Sequence, residues 1–427
     1  MIPFALIVLL GLLVIGVPVA GSLGMLGLAL GEGYSFMPID RAIAEVIWQT
    51  SVDFLLVAIP LFVLMGEILV RAGIAKRVYD AIAAWLSWLP GGLMHANIGT
   101  CALFAANSGS SVATAATIGT VAVPEIKRRG YGPKLFLGSI AAGGTLGILI
   151  PPSINLIIFG LLTNTSVPKL YLAGFIPGFA LALLFMVLIA VLCLRKPELA
   201  APKQKITWGQ RIAVLPDLLP PLLLFFAVVG SIYAGWATPT EAASLGVVVS
   251  LILGFWQGEL TWSSFKDAME GAMKTTAMVM LIILAASFLN FVLGMVGLTR
   301  AIFGVIQELG LTPYETLFLL IGIYVVLGFF METLSMLVIT TPIIAPIIGD
   351  LGFDLVWFGI LLTLLLELAL ITPPVGVNLY VVQSVRPDGD ISEVIAGALP
   401  FVGVMLLMVV LLVIFPDIAL WLPDLFG

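Results

Sequence analysis

The sequence GILIPPSIN at residues 147–155 decides the fold, and LITPPVGVN at residues 370–378 repeats its central feature. Each stretch carries two successive prolines, followed by Asn155 in the first copy and by Asn378 in the second. A proline inside a helix removes an amide donor and clashes with the preceding turn, so carbonyls upstream lose their usual partners. Both stretches therefore predict a helix that is interrupted near its middle.

Other features recur at nearly the same distance along the chain. The shift that carries one double proline onto the other also carries Ser111 onto Thr333, and a shift one residue shorter carries Pro18 onto Pro239. Because three features recur in the same order, the sequence predicts a duplicated unit. The predicted parts are a first repeat at 1–200, a linker with a connecting span at 201–238, and a second repeat at 239–427.

The composition is that of a membrane protein. Of the 427 residues, 61% are hydrophobic and 10% are charged, which would leave a water-soluble globule with too much apolar surface. The first stretch is taken as a span and not as a cleaved signal, because no basic segment precedes it. Apolar stretches long enough to cross a bilayer predict nine full crossings, at 3–30, 53–71, 135–165, 172–194, 214–234, 240–256, 277–297, 355–384 and 396–415.

Two further apolar regions are interrupted by small and hydroxylated residues, and we predict that each forms a re-entrant helical hairpin. The first covers about 97–124, with AANSGSS at 105–111, and the second about 318–347, with GFFMETLS at 328–335. The predicted fold class is therefore an all-α polytopic membrane protein with two inverted-topology repeats. Each repeat has one hairpin and one helix broken at Pro-Pro, at 135–165 and at 355–384.

Basic residues predict the orientation of the chain, because cytoplasmic loops collect Lys and Arg. Three loops would lie in the cytoplasm under one topology, with the N-terminus inside and the C-terminus outside. This topology gives the two repeats opposite orientations. The residues of these loops are Arg71, Lys76, Arg77, Lys127, Arg128, Arg129, Lys134, Arg195, Lys196, Lys203, Lys205 and Arg211.

Several functions are disfavoured by the composition. The net charge is −6 and the basic residues are scattered, so nucleic acid is not an expected partner. Cys101 and Cys193 lack the spacing of a metal site or a disulfide framework. The single histidine, His95, fits a hydrogen-bonded structural role better than a proton relay. One histidine and scattered acids do not form a catalytic constellation, so we do not expect an enzyme.

The broken helices and hairpin tips bring together the oxygen atoms that a hard cation such as Na⁺ prefers. Each break frees backbone carbonyls beside an asparagine amide, and each tip adds hydroxyls, while helix N-termini at the tips can receive an anion. The alternative is that these residues only kink helices and pack them together. The predicted Na⁺ ligands are Ser108, Gly109, Ser110, Ser111, Asn155, Thr333, Ser335, Thr372, Gly376 and Asn378. The predicted substrate contacts are Ser111, Gly144, Thr145, Ser153, Thr333 and Glu241.

Acidic residues in apolar segments are costly and often functional. Glu241 follows Pro239 and is predicted either to cap a helix or to act directly. Glu332 adjoins the second tip, where it either tunes a cation site or holds the hairpin. Glu67 and Arg71 have the spacing of an ion pair on one helix. The acids of this kind are Asp53, Glu67, Asp217, Glu241, Glu332 and Glu367.

The sequence resembles, over essentially its whole length, the large membrane subunit of tripartite ATP-independent periplasmic (TRAP) transporters. Within that family an aspartate is common near the second tip, where this sequence has Glu332, which weakens any role carried over to that residue. The matching motifs, in the family's order, are AIPLFVLMGE at 58–67, PGGL at 90–93, SGSS at 108–111, GTLGILIPPS at 144–153, TPTEAA at 238–243 and ITPPVGVNL at 371–379.

The resemblance implies a function in the bacterial inner membrane. It implies uptake of an organic acid, such as a sialic acid or a C4-dicarboxylate, driven by two or more Na⁺ ions and by an elevator mechanism. It also implies a periplasmic substrate-binding protein and a small membrane subunit as partners, the latter as a separate chain. A self-sufficient sodium–carboxylate symporter, an ion channel and an intramembrane enzyme are the rival interpretations.

Overall fold

The computed structural model describes residues 1–35, 39–202, 206–386 and 389–426, so the loop residues Lys203 and Lys205 lie outside the described residues. Within these ranges all regular secondary structure is helical. Seven helical segments of the described chain are long and apolar enough to cross a membrane. The predicted class, an all-α polytopic membrane protein, is confirmed.

The helices of the first part of the chain are α1 (Ile2–Val14), α2 (Val19–Tyr34), α3 (Asp40–Ser51), α4 (Ala58–Arg71), α5 (Ile74–Leu86), α6 (Leu93–Ser108), α7 (Ser111–Arg129), α8 (Pro133–Thr145), α9 (Ile154–Thr163) and α10 (Val167–Arg195). Short 3-10 turns in this part are Phe54–Val57, Leu146–Ile148 and Pro197–Leu199.

The second part contains α11 (Trp208–Ala213), α12 (Leu219–Phe225), α13 (Ser231–Tyr233), α14 (Pro239–Trp256), α15 (Trp262–Val296), α16 (Leu298–Glu308), α17 (Pro313–Gly328), α18 (Thr333–Asp350), α19 (Leu355–Leu370), α20 (Val377–Ser384), α21 (Ile391–Ile414) and α22 (Asp417–Phe426). A 3-10 turn at Leu215–Leu218 and a π-helical turn at Phe226–Gly230 join α11, α12 and α13 into one candidate span, Trp208–Tyr233.

The predicted first crossing at 3–30 is divided between two helices, because α1 ends at Val14 and α2 begins at Val19. Gly16 takes a φ of +82°, which favours glycine, and Pro18 stands at the N-cap of α2. A proline suits the start of a helix and not its interior, so the helix is interrupted at this point.

The second predicted hairpin includes α18, which is itself long and apolar enough to span the membrane. The re-entrant path of this hairpin therefore stays a prediction.

The two double prolines interrupt their helices as the sequence predicted. In the first break, α8 ends at Thr145 and α9 begins at Ile154, with Pro151 and Pro152 between them. The second break separates α19 from α20 around Pro373 and Pro374, and both Pro-Pro peptide bonds are cis. The segments before the breaks form the centre of the molecule, since every residue from 135 to 145 and from 356 to 370 is buried.

Two helix pairs occupy the regions predicted as hairpins. In the first pair, only Gly109 and Ser110 separate α6 from α7, so the helix extends further into the predicted tip than expected. In the second pair, residues 329–332 separate α17 from α18, and the Tyr324 hydroxyl donates to Thr340 Oγ1 at 2.7 Å across the two arms.

The predicted repeats interlock. Helix α21 of the second repeat packs against α8 of the first, α15 packs against α2, and α14 packs against α4. The two stretches of sequence therefore share one core, and their inverted relationship stays a prediction.

Two glycines allow the close approach of α8 and α21, which yields the first prediction. A Cβ atom on Gly138 would overlap the backbone of Gly397, whereas one on Gly403 of α21 would meet nothing within 4 Å. Replacing a helical glycine by alanine normally stabilises by about 0.5–1 kcal/mol, and overpacking costs about 1–3 kcal/mol. We expect Gly138→Ala to lower the thermal unfolding midpoint and Gly403→Ala to leave it unchanged or raised. Equal midpoints for the two variants would contradict this packing.

Candidate functional site

A cavity of about 440 Å³ lies between the two hairpin tips. Its walls come from tip 1 (residues 108–111), the start of α9, tip 2 (residues 332–334), and the facing sides of α4 and α15. Protein sites for small molecules commonly have volumes of about 300–1,000 Å³. The cavity is therefore the candidate functional site.

Tip 1 is fixed onto the first helix break. Gly109 ends α6 with a φ of +60°, and Ser110 caps the N-terminus of α7 by accepting from the amide of Ala113. The Ser111 hydroxyl donates to the carbonyl of Thr145 at 3.0 Å, where α8 ends. A Cβ on Gly147 would lie 2.8 Å from the Ser110 backbone, so only glycine leaves room for the tip here.

The remaining hydroxyls of tip 1 form a small buried network. Ser108 Oγ lies 2.9 Å from Thr114 Oγ1, and Thr114 donates to the carbonyl of Ser110 at 2.8 Å. Ser108 and Ser111 are 4% and 2% exposed. Their oxygens are therefore held in place beside the cavity and away from bulk water.

The first break places Asn155 at the cavity. Ser153 caps α9 by accepting from the amide of Leu156, and its hydroxyl donates to the carbonyl of Ile148 at 2.5 Å. Asn155 follows in the first turn of α9 and lines the cavity, and its buried Nδ2 has no hydrogen-bond partner in the described chain. One amide N–H donor is thus available to a hydrogen-bond acceptor such as a carboxylate.

Tip 2 is organised around Glu332, which caps α18. The Glu332 carboxylate accepts from the amide of Ser335 at 3.1 Å, from the Ser335 hydroxyl at 3.2 Å and from the Thr333 hydroxyl at 3.0 Å. Of the two alternatives from the sequence, this geometry supports a role in holding the hairpin. Glu332 also lines the cavity, so the same carboxylate contributes to its charge.

The second break lies against the first repeat and not in the cavity wall. The Asn378 side chain donates to the carbonyl of Ala141 at 3.2 Å, and a Cβ on Gly144 would lie 3.2 Å from Asn378 Nδ2. The Oδ1 atom of Asn378 is buried without a hydrogen-bond partner among the described residues. Thr372 donates to the carbonyl of Leu368, and Gly376 begins α20 with a φ of +28°.

Some of the predicted site residues line the cavity, and others do not. It brings together the predicted residues Ser108, Gly109, Ser110, Ser111, Asn155 and Thr333. The predicted residues outside its lining are Ser335, Thr372, Gly376, Asn378, Gly144, Thr145, Ser153 and Glu241.

Two of the predicted substrate contacts have other partners. Glu241 is exposed and forms a capping box with Thr238 at the start of α14, which accounts for it without a substrate contact. Thr145 donates from its hydroxyl to the carbonyl of Ala142 at 2.8 Å, within the interior of the protein. Both side chains are therefore engaged in hydrogen bonds away from the tips.

The sequence did not reveal the wall that faces the tips. Gly66 and Glu67 of α4 and Thr275 and Met278 of α15 line the cavity. A Cβ on Gly66 would lie 3.0 Å from the Ser108 carbonyl, so this glycine permits α4 to approach tip 1. The expected ion pair between Glu67 and Arg71 is present. The sequence spacing of Glu67 and Arg71 predicted the ion pair, but it did not predict that this pair lies at the cavity.

The electrostatics of the cavity suit a cation and an anion together. Glu67 and Glu332 place two carboxylates in the wall, and none of the described lining residues is Lys or Arg. Helices α7 and α18 both begin at the cavity, so the positive ends of two helix dipoles also face it. Carboxylate and hydroxyl oxygens can attract a cation, and the helix N-termini can receive an anionic group.

His95 and the cysteines have structural surroundings. His95 Nε2 lies 2.7 Å from the carbonyl of Pro90, which agrees with a hydrogen-bonded structural role. Cys101 and Cys193 are free and buried. Across the ranges that the structure describes, there is no cluster of three or more His, Cys, Asp or Glu residues that could hold a metal ion.

The role of Glu332 can be separated from that of an ordinary cap. Loss of an N-cap costs about 0.5–2 kcal/mol, so we expect Glu332→Ala to lower the thermal midpoint and also to reduce transport, because tip 2 is released. Glu332→Asp keeps a capping carboxylate and should restore most of both. Glu315→Ala removes the exposed capping box of α17 in the same helix pair and should leave transport intact. Unchanged transport by Glu332→Ala in uptake assays would rule out this role.

Comparison with known proteins identifies relatives over nearly the whole chain. A protein-family model described as "Tripartite ATP-independent periplasmic transporter, DctM component" matches residues 6–418. The C4-dicarboxylate TRAP transporter large permease protein DctM of Pseudomonas aeruginosa is 36% identical over 388 residues, covering 91% of this chain and 90% of that protein. The sialic acid TRAP transporter large permease protein SiaM of Vibrio cholerae is 31% identical over 420 residues, covering 98% and 97%.

A solved structure shares the fold. The YdaH transporter of Alcanivorax borkumensis aligns with a TM-score of 0.55 at 16% sequence identity, covering 86% of this chain and 88% of that one. At this level of identity the likeness concerns the fold alone, and it agrees with a polytopic transporter architecture.

Proposed function

Because the chain belongs to the DctM component family of tripartite ATP-independent periplasmic transporters, it is the large permease subunit of such a transporter, and we propose that it imports a small organic acid together with Na⁺. The relatives are named as permease proteins, which agrees with a role in transport and not in catalysis. The observation that carries the proposal is the single cavity in which both hairpin tips, Asn155 and two helix N-termini meet.

Sodium coupling is supported by oxygen-rich, partly unpaired polar groups at the two breaks. Asn155 lies beside the hydroxyls of Ser108 and Ser111 in the cavity wall, and the buried Oδ1 of Asn378 has no partner within the described ranges. Buried polar atoms are usually hydrogen-bonded, so the unpaired Asn378 oxygen calls for a partner, which a bound water or cation could supply. We propose one Na⁺ site at Asn155 with tip 1 and a second at Asn378 with the second break, for two or more ions per substrate.

The substrate is proposed to be a small carboxylate. Relatives are named for C4-dicarboxylate and for sialic acid, and both classes carry a carboxylate that a helix N-terminus can receive. The cavity volume of about 440 Å³ suits molecules of this size. The acid group would meet the starts of α7 and α18, with Na⁺ offsetting the negative charge of Glu332, since Glu67 is already paired with Arg71.

The proposed mechanism is an elevator. The hairpins and broken helices would move as one block against a static scaffold that includes α4 and α15, which form the facing wall of the cavity. A periplasmic binding protein would deliver the substrate, and a small membrane subunit would complete the transporter in the bacterial inner membrane. A self-sufficient sodium–carboxylate symporter is the alternative, and the two differ in their requirement for a binding protein.

Reconstituted transport tests this proposal. In proteoliposomes that contain this chain and the small subunit, uptake should require both an inward Na⁺ gradient and the cognate binding protein loaded with the organic acid. Omission of either should reduce uptake to the level of empty liposomes. Uptake at full rate without the binding protein would favour the symporter alternative, and equal uptake with protons in place of Na⁺ would refute sodium coupling.

The two asparagines test the Na⁺ sites. Asn155→Ala and Asn378→Ala should each raise the Na⁺ concentration that gives half-maximal uptake, with folded protein retained, because one net hydrogen bond contributes only about 0.5–1.5 kcal/mol. Asn97→Ala is the matched control, since this buried amide accepts from Tyr79 and donates to Ser139 at 2.9 and 2.8 Å. It should lose stability without a change in Na⁺ requirement. Unaltered sodium titrations in both site variants would contradict the assignment.

A further inference from the structure

Glu367 is a carboxylic acid that the transport sites do not use. It lies in α19, six residues before the double proline of the second break, and its exposure is 0%. Neither carboxylate oxygen has a hydrogen-bond partner in the described part of the chain. Buried acidic groups are almost always paired, so this one requires an explanation.

The sequence neighbours of Glu367 are buried leucines. The flanking leucines at 364, 365, 366 and 368 are at most 2% exposed. The backbone amide of Leu149, in the first break, is a hydrogen-bond donor that lies toward the carboxylate, although no hydrogen bond of regular geometry forms. Glu367 of the second broken helix therefore faces the first break.

Charged groups on the neighbouring helices are at the helix ends. Helices α8, α9, α10, α17, α18, α20, α21 and α22 pack against α19. Their charged residues lie within three residues of a helix end and are Lys134, Lys169, Arg195, Glu315, Asp350, Glu393, Asp417 and Asp424. Their other titratable residues are Tyr171, Cys193, Tyr314, Tyr324 and Tyr380. Tyr324 donates to Thr340 and is already engaged.

The burial of Glu367 decides whether this carboxylate binds a proton or a metal cation. An isolated ionised carboxylate in an apolar interior costs far more free energy than the neutral acid. Hard metal cations collect about six oxygen ligands, whereas the polar group that lies toward this carboxylate is a backbone amide, which cannot bind a cation. A proton needs only one oxygen. The neutral acid is therefore the form that fits.

We propose that Glu367 is a proton-binding site, and that its neutral form allows the second broken helix to pack against the first break. Leu370, one turn further along the same face of α19, lines the cavity, as does Ile148 next to Leu149. Glu367 thus lies directly behind the cavity wall. Loss of the proton would place a negative charge between the two breaks and loosen their packing.

The pH dependence of stability tests the site on the intact chain in detergent or lipid. Above the ordinary pKa of a glutamate, the unfolded chain has released the proton of residue 367, whereas the folded protein still holds it. In that pH range the folding equilibrium constant falls about tenfold per pH unit. The thermal midpoint of the wild type should therefore decrease relative to Glu367→Gln and Glu367→Leu, which cannot ionise, as the pH rises from about 5, just above the ordinary pKa of a glutamate, to about 9. Sodium titrations of uptake should be the same in Glu367→Gln and the wild type, which separates this result from the proposed Na⁺ sites.

Infrared spectroscopy gives a second measurement that does not depend on thermal unfolding. At neutral pH the wild-type protein should show a protonated carboxylic-acid carbonyl band that shifts in deuterated buffer, and this band should be missing in Glu367→Gln. Absence of any such band in the wild type would overturn the proposal. So would a difference in thermal midpoint between wild type and Glu367→Gln that stays constant across this pH range.

Discussion

The structure depends on how the backbone groups freed by two double prolines are satisfied where water is scarce. Inside a membrane each unsatisfied amide or carbonyl costs several kcal/mol, so an interrupted helix is tolerated only where other groups surround the break. At the first break the Ser153 hydroxyl donates to the Ile148 carbonyl, and the Ser111 hydroxyl of tip 1 donates to the Thr145 carbonyl. Hydroxyl groups thus satisfy the carbonyls freed at the break, and the bond from Ser111 also fixes the hairpin tip to the break.

The same constraint ties the two repeats to each other. Asn378 of the second break donates to the Ala141 carbonyl of α8, and Glu367 of α19 faces the backbone of Leu149. Both segments that precede a break are buried, so the broken helices form a common core from which the tips extend. The cavity lies at the edge of this core, and groups from both repeats contribute to it.

The parts of this arrangement that could be predicted from the sequence are those that depend on a few neighbouring residues. The double prolines indicated both breaks, and the small residues around Gly109 indicated tip 1, because such signals act over a few residues. Pro18 carried the same kind of signal, but the apolar run around it suggested one span. Contacts between distant segments, such as Asn378 with Ala141 or Gly66 with tip 1, depend on how the helices pack, and no spacing in the sequence encodes them.

Equilibrium binding of radioactive sodium to the purified chain tests most directly the claim that the two breaks hold cations. The account predicts saturable binding of at least two Na⁺ ions per chain, even without the binding protein, because the proposed sites would be built from this chain's own oxygens. An absence of saturable Na⁺ binding at concentrations that support uptake would contradict it.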